Sequence, residues 1–296
     1  MQYKKYQHIE KLESQNVRGI LDGHCFVFPK IDGTNGSLWL GGDGEIKAGS
    51  RNRELTEEQD NGNFYKAMKD DPKFKAFFKD HPAIRLFGEW LIPHSLKTYR
   101  EDAWRKFYVF DVELADELMS FEDYSELLDQ YEINYIYPIC ETILPEKRNL
   151  LRYLESTTYL IKDGEGTGEG IVIKNYDYRN KDGKQIWAKI VKNEFKEQNK
   201  KAFGVQTAKT QTTAEREIVE KYCTQSLIEK EYAKINLEKG GWESKYIPML
   251  LGKVYNSMIT DSMWEILKDW KHPTIDFKEL QRFINIKIKE IKSEVF

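Results

Sequence analysis

The sequence predicts an α+β protein in two parts, strands mixed with helices over residues 1–203 and a small all-helical domain over residues 204–296. Runs rich in aromatic and β-branched residues fit a pleated, half-buried surface, and helical patterns with capping signals lie between them. After "FGVQTAKTQTT", which reads as a linker, glycine thins out and helical apolar spacing takes over.

Taken in order, "GHCFVFPK" reads as a buried strand. "GSLWLGGDGEIKAGS" reads as a hairpin around the glycine-rich turn Gly41 to Gly44. "NFYKAMKDDPKFKAFFKDH" has helical spacing with a break before Pro72. "AIRLFGEWLIP" and "RKFYVFDVEL" are two further strands. Ser120 and Asp123 resemble a capping box for a helix to about Tyr131. "PEKRNLLRYLESTTYLIKDG" is expected to be helical from near Pro145, with Gly164 past its end. "EGIVIKNYD" and "KQIWAKIVK" read as a strand pair.

In the second part, Thr212 with Glu215 predicts a helix cap, and the helix would run to the Gly240-Gly241 stop. A second helix is expected from Ser244 to Trp270, with Pro248 in its first turn. A last one starts at Asp276 and Glu279. There Ile284, Ile288, Ile291 and Val295 have helical spacing, while Ile284, Ile286 and Ile288 also alternate, which leaves a strand open. Trp242 and Trp264 are expected to be core.

Composition narrows the class. The chain of 296 residues has a formal net charge of -3 despite 32% charged residues, so any nucleic-acid surface must be local. A hydrophobic share of 40% and 13% aromatics support a packed core and argue against disorder. The three cysteines, Cys25, Cys140 and Cys223, are far apart and form no disulfide framework or zinc motif. No apolar run is long enough to span a membrane, and the polar N-terminus lacks a signal-peptide core, so a cytoplasmic, reduced protein is expected.

The chemistry starts at "FPKIDGTNG". Lysine is a nucleophile only when neutral, against an ordinary pKa of about 10.4. Asp32, two residues from Lys30, would share its side of an extended strand and could orient the amine. Taken alone, K-x-D-G also fits an exposed turn. Further along, Glu89, Phe110, Asp111, Glu169, Lys174, Lys189 and Lys192 place charges or an aromatic ring in segments that otherwise read as core. Burying such charges without partners is expensive, so their recurrence points to one shared polar site. One chemistry fits them. Lys30 would attack the α-phosphate of a nucleoside triphosphate. Lys174 and a lysine of "AKIVK" would stabilise charge on that phosphate, and Glu169 would carry Mg²⁺. Glu89 would hold the ribose, and Phe110 would stack on the base with Val172 on its other face. Asp111 also fits a structural carboxylate. His94 is read as structural or as a phosphate contact.

"KIDG", "SR", "FGEW", "FYVFD", "EGIVIK" and "AKIVK" resemble, in order, motifs I, Ia, III, IIIa, IV and V of the covalent nucleotidyltransferases. "KIDGTN" and "KFYVFDVE", followed by a helical domain, are most similar to the RNA ligase 2 group. The resemblance implies a nucleotidyltransferase domain of antiparallel sheets with flanking helices. It implies an ATP-dependent RNA ligase, with Mg²⁺ or Mn²⁺, that joins 3'-OH and 5'-phosphate RNA ends through lysyl-AMP and RNA-adenylate, in RNA repair. It places Ile31 and Gly33 among the ATP contacts, gives Asn35 a part in the later steps, and sets Arg51 at the terminal nucleotide or its phosphate, with Arg53 as rival. Pro29 stands where the group commonly has glutamate. Lys189 and Lys192 are spaced K-x-x-K rather than K-x-K, so both remain candidates. Eight lysines between 181 and 209 offer a surface for an RNA backbone. The competing readings are an mRNA-capping guanylyltransferase and a DNA ligase, both normally with a β-barrel second domain, and a non-catalytic RNA-end binder.

Overall fold

The computed structural model describes residues 1–93, 99–192, 214–271 and 273–296. The chain forms two units, Met1–Val205 and Gln206–Phe296. The fold is α+β, with both sheets in the first unit.

Sheet one has the order β1-β11-β10-β2-β9. Its strands are β1 (Glu10–Lys11), β2 (His24–Lys30), β9 (Cys140–Ile143), β10 (Gly170–Lys174) and β11 (Ala188–Val191). Sheet two has the order β5-β4-β3-β6-β7-β8. Its strands are β3 (Thr34–Leu40), β4 (Ile46–Ser50), β5 (Glu54–Leu55), β6 (Ile84–Leu91), β7 (Lys106–Leu114) and β8 (Glu117–Leu118). Neighbouring strands are antiparallel except β1 and β11.

Period-2 alternation sorts each strand between two apolar layers. Phe26, Phe28 and Val172 of sheet one share a central layer with Phe87, Leu91 and Tyr108 of sheet two. Val27, Ile171, Ile173 and Ile190 turn the other way, onto Leu150 and Leu154 of helix α4 (Lys147–Ser156). Leu38, Leu86 and Phe107 turn outward from sheet two onto α1 (Phe64–Met68), α2 (Pro72–Asp80) and α3 (Phe121–Asp129). Ser120 caps α3 as the capping signal predicts, its Oγ accepting from the Asp123 N–H at 3.2 Å.

α4 is shorter than its apolar pattern suggests. It ends at Ser156; Thr157 is extended and its carbonyl accepts from the Gly168 N–H at 2.9 Å. Ile161 then bridges to Tyr99. The pull of that second partner ends the helix before Gly164.

The second unit holds α5 (Ala214–Tyr222), α6 (Gln225–Glu238), α7 (Ile247–Asp269) and α8 (Phe277–Ile291). The single helix expected up to Gly240 is broken. Thr224 caps α6, its hydroxyl accepting from the Leu227 N–H at 3.2 Å. Thr212 lies outside the described residues. The isoleucine-rich end is a helix: Leu280, Ile284 and Ile288 are fully buried while Ile286 is 40% exposed. Trp242 packs on Tyr232 with ring centroids 4.6 Å apart. Trp264 is 66% exposed, against the expectation of core. Among the described residues no helix is long and apolar enough to cross a membrane.

Candidate active site

β2 ends at Lys30 and β3 begins at Thr34, so Ile31 to Gly33 carries the chain from one sheet to the other. The crossing is pinned on both sides. The Asp32 N–H donates to the Tyr99 hydroxyl at 2.9 Å, and the Gly33 N–H donates to Glu89 Oε1 at 2.9 Å. Burial raises the Tyr99 pKa, so its hydroxyl stays neutral as an acceptor. A Cβ on Gly33 would lie 2.6 Å from the Trp90 carbonyl oxygen, which excludes any side chain there. Ile31 and Asp32 are both buried. The strand stops at Lys30, so strand alternation does not extend to Asp32.

Glu169 meets the Lys30 ammonium, with Nζ to Oε2 at 2.5 Å and both side chains 24% exposed. The register explains the meeting. Lys30 is paired with Gly170, so the residue just before β10 lies beside the end of β2. A Cβ on Gly170 would sit 2.3 Å from the Ile190 carbonyl oxygen, so packing requires glycine at this position.

One face of sheet one then carries the candidates. Val172 is opposite Phe28 and Lys189, and Lys174 is opposite Phe26. Lys30, Val172, Lys174 and Lys189 therefore share a face, beside the central layer. β11 ends at Val191, so Lys192 is not bound to strand alternation. Its N–H donates to the Glu169 carbonyl at 3.0 Å and its ammonium to the Thr167 hydroxyl. Both lysines of "AKIVK" thus lie at this edge, Lys189 by register and Lys192 by its link to Glu169.

Lys174 is engaged inside the protein. Its ammonium is buried, donating to Asp111 Oδ1 at 2.7 Å and to the Phe110 carbonyl. Burial lowers its pKa, partly opposed by the Asp111 charge. Asp111 is wholly buried and also accepts from Trp187 Nε1 at 3.0 Å and from the Tyr6 hydroxyl.

Sheet two supplies the other wall. Glu89 is opposite Asn35 and Tyr108 on the same face as Phe87. The pairing of β6 with β7 shifts between Phe87 and Gly88, leaving Phe110 as the extra residue of a bulge. Its half-buried ring packs on Tyr6, with centroids 4.9 Å apart. Arg51 is exposed, whereas the Arg53 guanidinium donates to the Gln59 carbonyl at 2.5 Å and to that of Asp60 at 3.4 Å. Arg53 is thus engaged in holding its own loop. His94 and the lysines of the basic stretch from Lys196 onward lie outside the described residues.

Tyr6, Tyr99, Thr167 and Trp187 are the contacts that pattern did not disclose. Tyr6 stands in a polar leader with no apolar period, and the others are defined only by distant partners. A separate group, His24, Glu122 and Glu141, brings ligand-capable atoms within 4.8 Å of one another at the surface. The His24–Glu141 contact at 2.7 Å accounts for it.

Lys30, Asn35, Glu89, Glu169, Lys189 and Lys192 form a partly exposed polar rim beside the buried apolar residues Phe28 and Val172. Such a surface can seat a flat ring on the apolar side and phosphate oxygens near the lysines. Glu169, a partly exposed carboxylate, is a hard oxygen donor of the kind a divalent cation takes.

A family model described as RNA ligase matches residues 23–191. No curated protein matches the chain. Among solved structures, the Naegleria gruberi RNA ligase with PPi is 20% identical, with a TM-score of 0.51 over 67% of this chain and 58% of that chain. A lysine-to-alanine mutant of that ligase with ATP and Mn is 19% identical, with a TM-score of 0.50 over 65% of this chain and 56% of that one. A glutamate-to-alanine mutant with AMP and Mn is 19% identical, with a TM-score of 0.51 over 67% and 58%. The chain covers less than two thirds of the length of these solved proteins, and the likeness is one of fold.

Proposed function

The chain belongs to the RNA ligase family, and from that premise we propose that it is an ATP-dependent RNA ligase joining 3'-OH and 5'-phosphate ends. The observation that carries this reading is the Lys30–Glu169 pair, partly exposed at the crossing between the sheets. In the first step the Lys30 Nζ lone pair attacks the α-phosphorus of ATP, the bond to the bridging oxygen breaks, and pyrophosphate leaves. The ammonium gives up one proton to become the nucleophile and a second, to solvent, as the N–P bond forms, which leaves the single N–H of the lysyl-AMP phosphoramidate. The AMP then passes to an RNA 5'-phosphate, and a 3'-OH displaces it.

Each chain residue has a derived task. Lysine attacks only as the neutral amine, so the Lys30–Glu169 contact must open before the first step. A divalent cation, Mg²⁺ or Mn²⁺, would draw on the Glu169 carboxylate, neutralise phosphate charge and disfavour the ammonium form of Lys30. Lys189, with Lys192 beside it, stabilises charge developing on the α-phosphate. Glu89 holds the ribose hydroxyls, and the base lies between Phe110 and Val172. Asn35, opposite Glu89, and the exposed Arg51 serve the RNA end. The Naegleria ligase, solved with ATP and Mn, supports ATP and a divalent cation here. The free cysteines fit a reduced, cytoplasmic setting for RNA repair.

The test is incubation with ATP or GTP labelled at the α-phosphate, with Mg²⁺, followed by a denaturing gel. Label from ATP that is absent in Lys30→Ala is the expected result. Label from GTP alone would replace this reading with a capping-type guanylyltransferase. No label from either, in folded protein not already adenylylated, would sink the enzyme reading and favour a non-catalytic RNA-end binder.

A further inference from the structure

Register sets distances along the site face. Lys30 is opposite Gly170, Lys189 is opposite Val172, and Lys174 is opposite Phe26. Lys189 is therefore two residues along from the Lys30 position, and Lys174 is four, about 7 Å and about 13 Å at strand rise. Lys189 is also one strand further across than Lys174, so their backbone positions lie about 12 Å and about 14 Å from that of Lys30, and burial rather than distance separates the two lysines. Lys174 lies at the other end of the face, where Phe110 is.

The bonds at Lys174 agree with that placement. An ammonium has three donors. Lys174 gives two, one to Asp111 Oδ1 and one to the Phe110 carbonyl, and the ammonium lies 4.6 Å from the Phe28 ring centroid and 5.6 Å from that of Trp187. The side chain is only 2% exposed, so a phosphate oxygen could reach its third donor only by displacing the rings that cover it. The Phe110 carbonyl also accepts from the Tyr124 hydroxyl at 3.3 Å. The bulged residue is thus held by sheet one on one side and by α3 on the other. Asp111, next in the chain, is fixed in turn by Tyr6 and Trp187.

We propose that Lys174 is a positioning residue, a staple from sheet one to the bulge of sheet two that holds the Phe110 ring across from Val172, and that Tyr6 completes the staple through Asp111. It acts on nucleotide binding through Phe110 and takes no phosphate charge. This rests on the reading that Lys30 accepts an adenylyl group from ATP.

The experiment measures single-turnover adenylylation against ATP concentration for wild type, Tyr6→Phe, Lys174→Met and Lys174→Met with Asp111→Asn. Tyr6→Phe removes one hydrogen bond and keeps the ring. It is expected to raise the half-saturating ATP concentration about 2- to 10-fold, with the maximal rate held within about twofold. Lys174→Met leaves the Asp111 charge uncompensated. The double variant restores neutrality and should recover most of the maximal rate, because no phosphate ligand has been lost. A double variant with its maximal rate still down by about 10²-fold or more, at unchanged half-saturation, would overturn the proposal and make Lys174 a phosphate ligand. If Lys174→Met is insoluble, Tyr6→Phe and the double variant still decide. Wild-type protein that takes no label would overturn the ATP reading and the positioning role with it. Melting temperatures of Lys174→Met, of Asp111→Asn made alone for this purpose, and of their double then separate that failure from failure of the staple. A loss in the double smaller than the sum of the singles upholds the staple, and additive losses overturn it.

Discussion

Two lysine–carboxylate pairs lie on one face of sheet one, and they differ in what water can reach. The Lys30–Glu169 pair spans 2.5 Å with both side chains 24% exposed. The Lys174–Asp111 pair spans 2.7 Å with exposures of 2% and 0%. Nearly equal distances conceal opposite capacities. A partly solvated pair gains little net energy and is opened readily by an incoming cation or phosphate. A buried pair cannot lose one member without stranding the other in a poor solvent. The first suits chemistry, and the second suits alignment.

The largest expected contrast is in activity. Lys30→Ala should abolish adenylylation while shifting unfolding free energy by no more than about 1 kcal/mol, as urea denaturation would measure. A large loss of stability there would mean that the exposed pair is structural too, and the comparison would break. Next, Lys174→Met should cost about 3–5 kcal/mol in the same urea titration, because the Asp111 charge is left buried. A cost under about 1 kcal/mol would show that the pair is not buried in solution as the fold has it.

A third experiment sharpens the exposed end. Lys189→Ala should lower the adenylylation rate by about 10²- to 10³-fold at saturating ATP. Lys192→Ala, whose partners are Thr167 and the Glu169 backbone, should lower it less, by about tenfold. The reverse order in single-turnover rates would transfer the phosphate role to Lys192. The smallest effect belongs to the second unit. Trp264→Ser should change stability by no more than about 0.5 kcal/mol, because the ring is 66% exposed. A larger loss by thermal or chemical denaturation would show that something covers it.

The same contrast explains what the sequence disclosed. The strands β2, β3, β6, β7 and β10 were legible because each packs aromatic and β-branched residues into a short run. Glycine and charge at Lys30 to Gly33 were legible as an interruption of such a run, but not as a crossing between two sheets. What defines the site more finely is long-range. Lys30 and Glu169 are 139 positions apart, and only the register of β2 with β10 brings them together. The bulge at Phe110 exists only relative to β6, so β7 alone carries no sign of it. That β2 stops two residues before Asp32 was not legible either.

In the second unit, apolar spacing runs through Ile218, Val219, Cys223 and Ile228, all buried, and so hides the break that Thr224 caps. Trp264 was readable. Leu250, Val254, Met258 and Ile266 mark the buried stripe of α7 at multiples of four, and position 264 falls off it.

The Ile31 to Gly33 crossing also makes the molecule sensitive to length. It ties Lys30 on one layer to Asn35 on the other through a fixed number of peptide units. One extra codon there would shift β3 by one place, present Thr34 where Asn35 stands opposite Glu89, and turn Asn35 toward the Phe64 ring that now packs against Gly36. A single insertion in the exposed turn at Gly42 to Gly44 meets open space and leaves both layers in step. In a library of random insertions, survivors should cluster at that turn and be missing from the crossing.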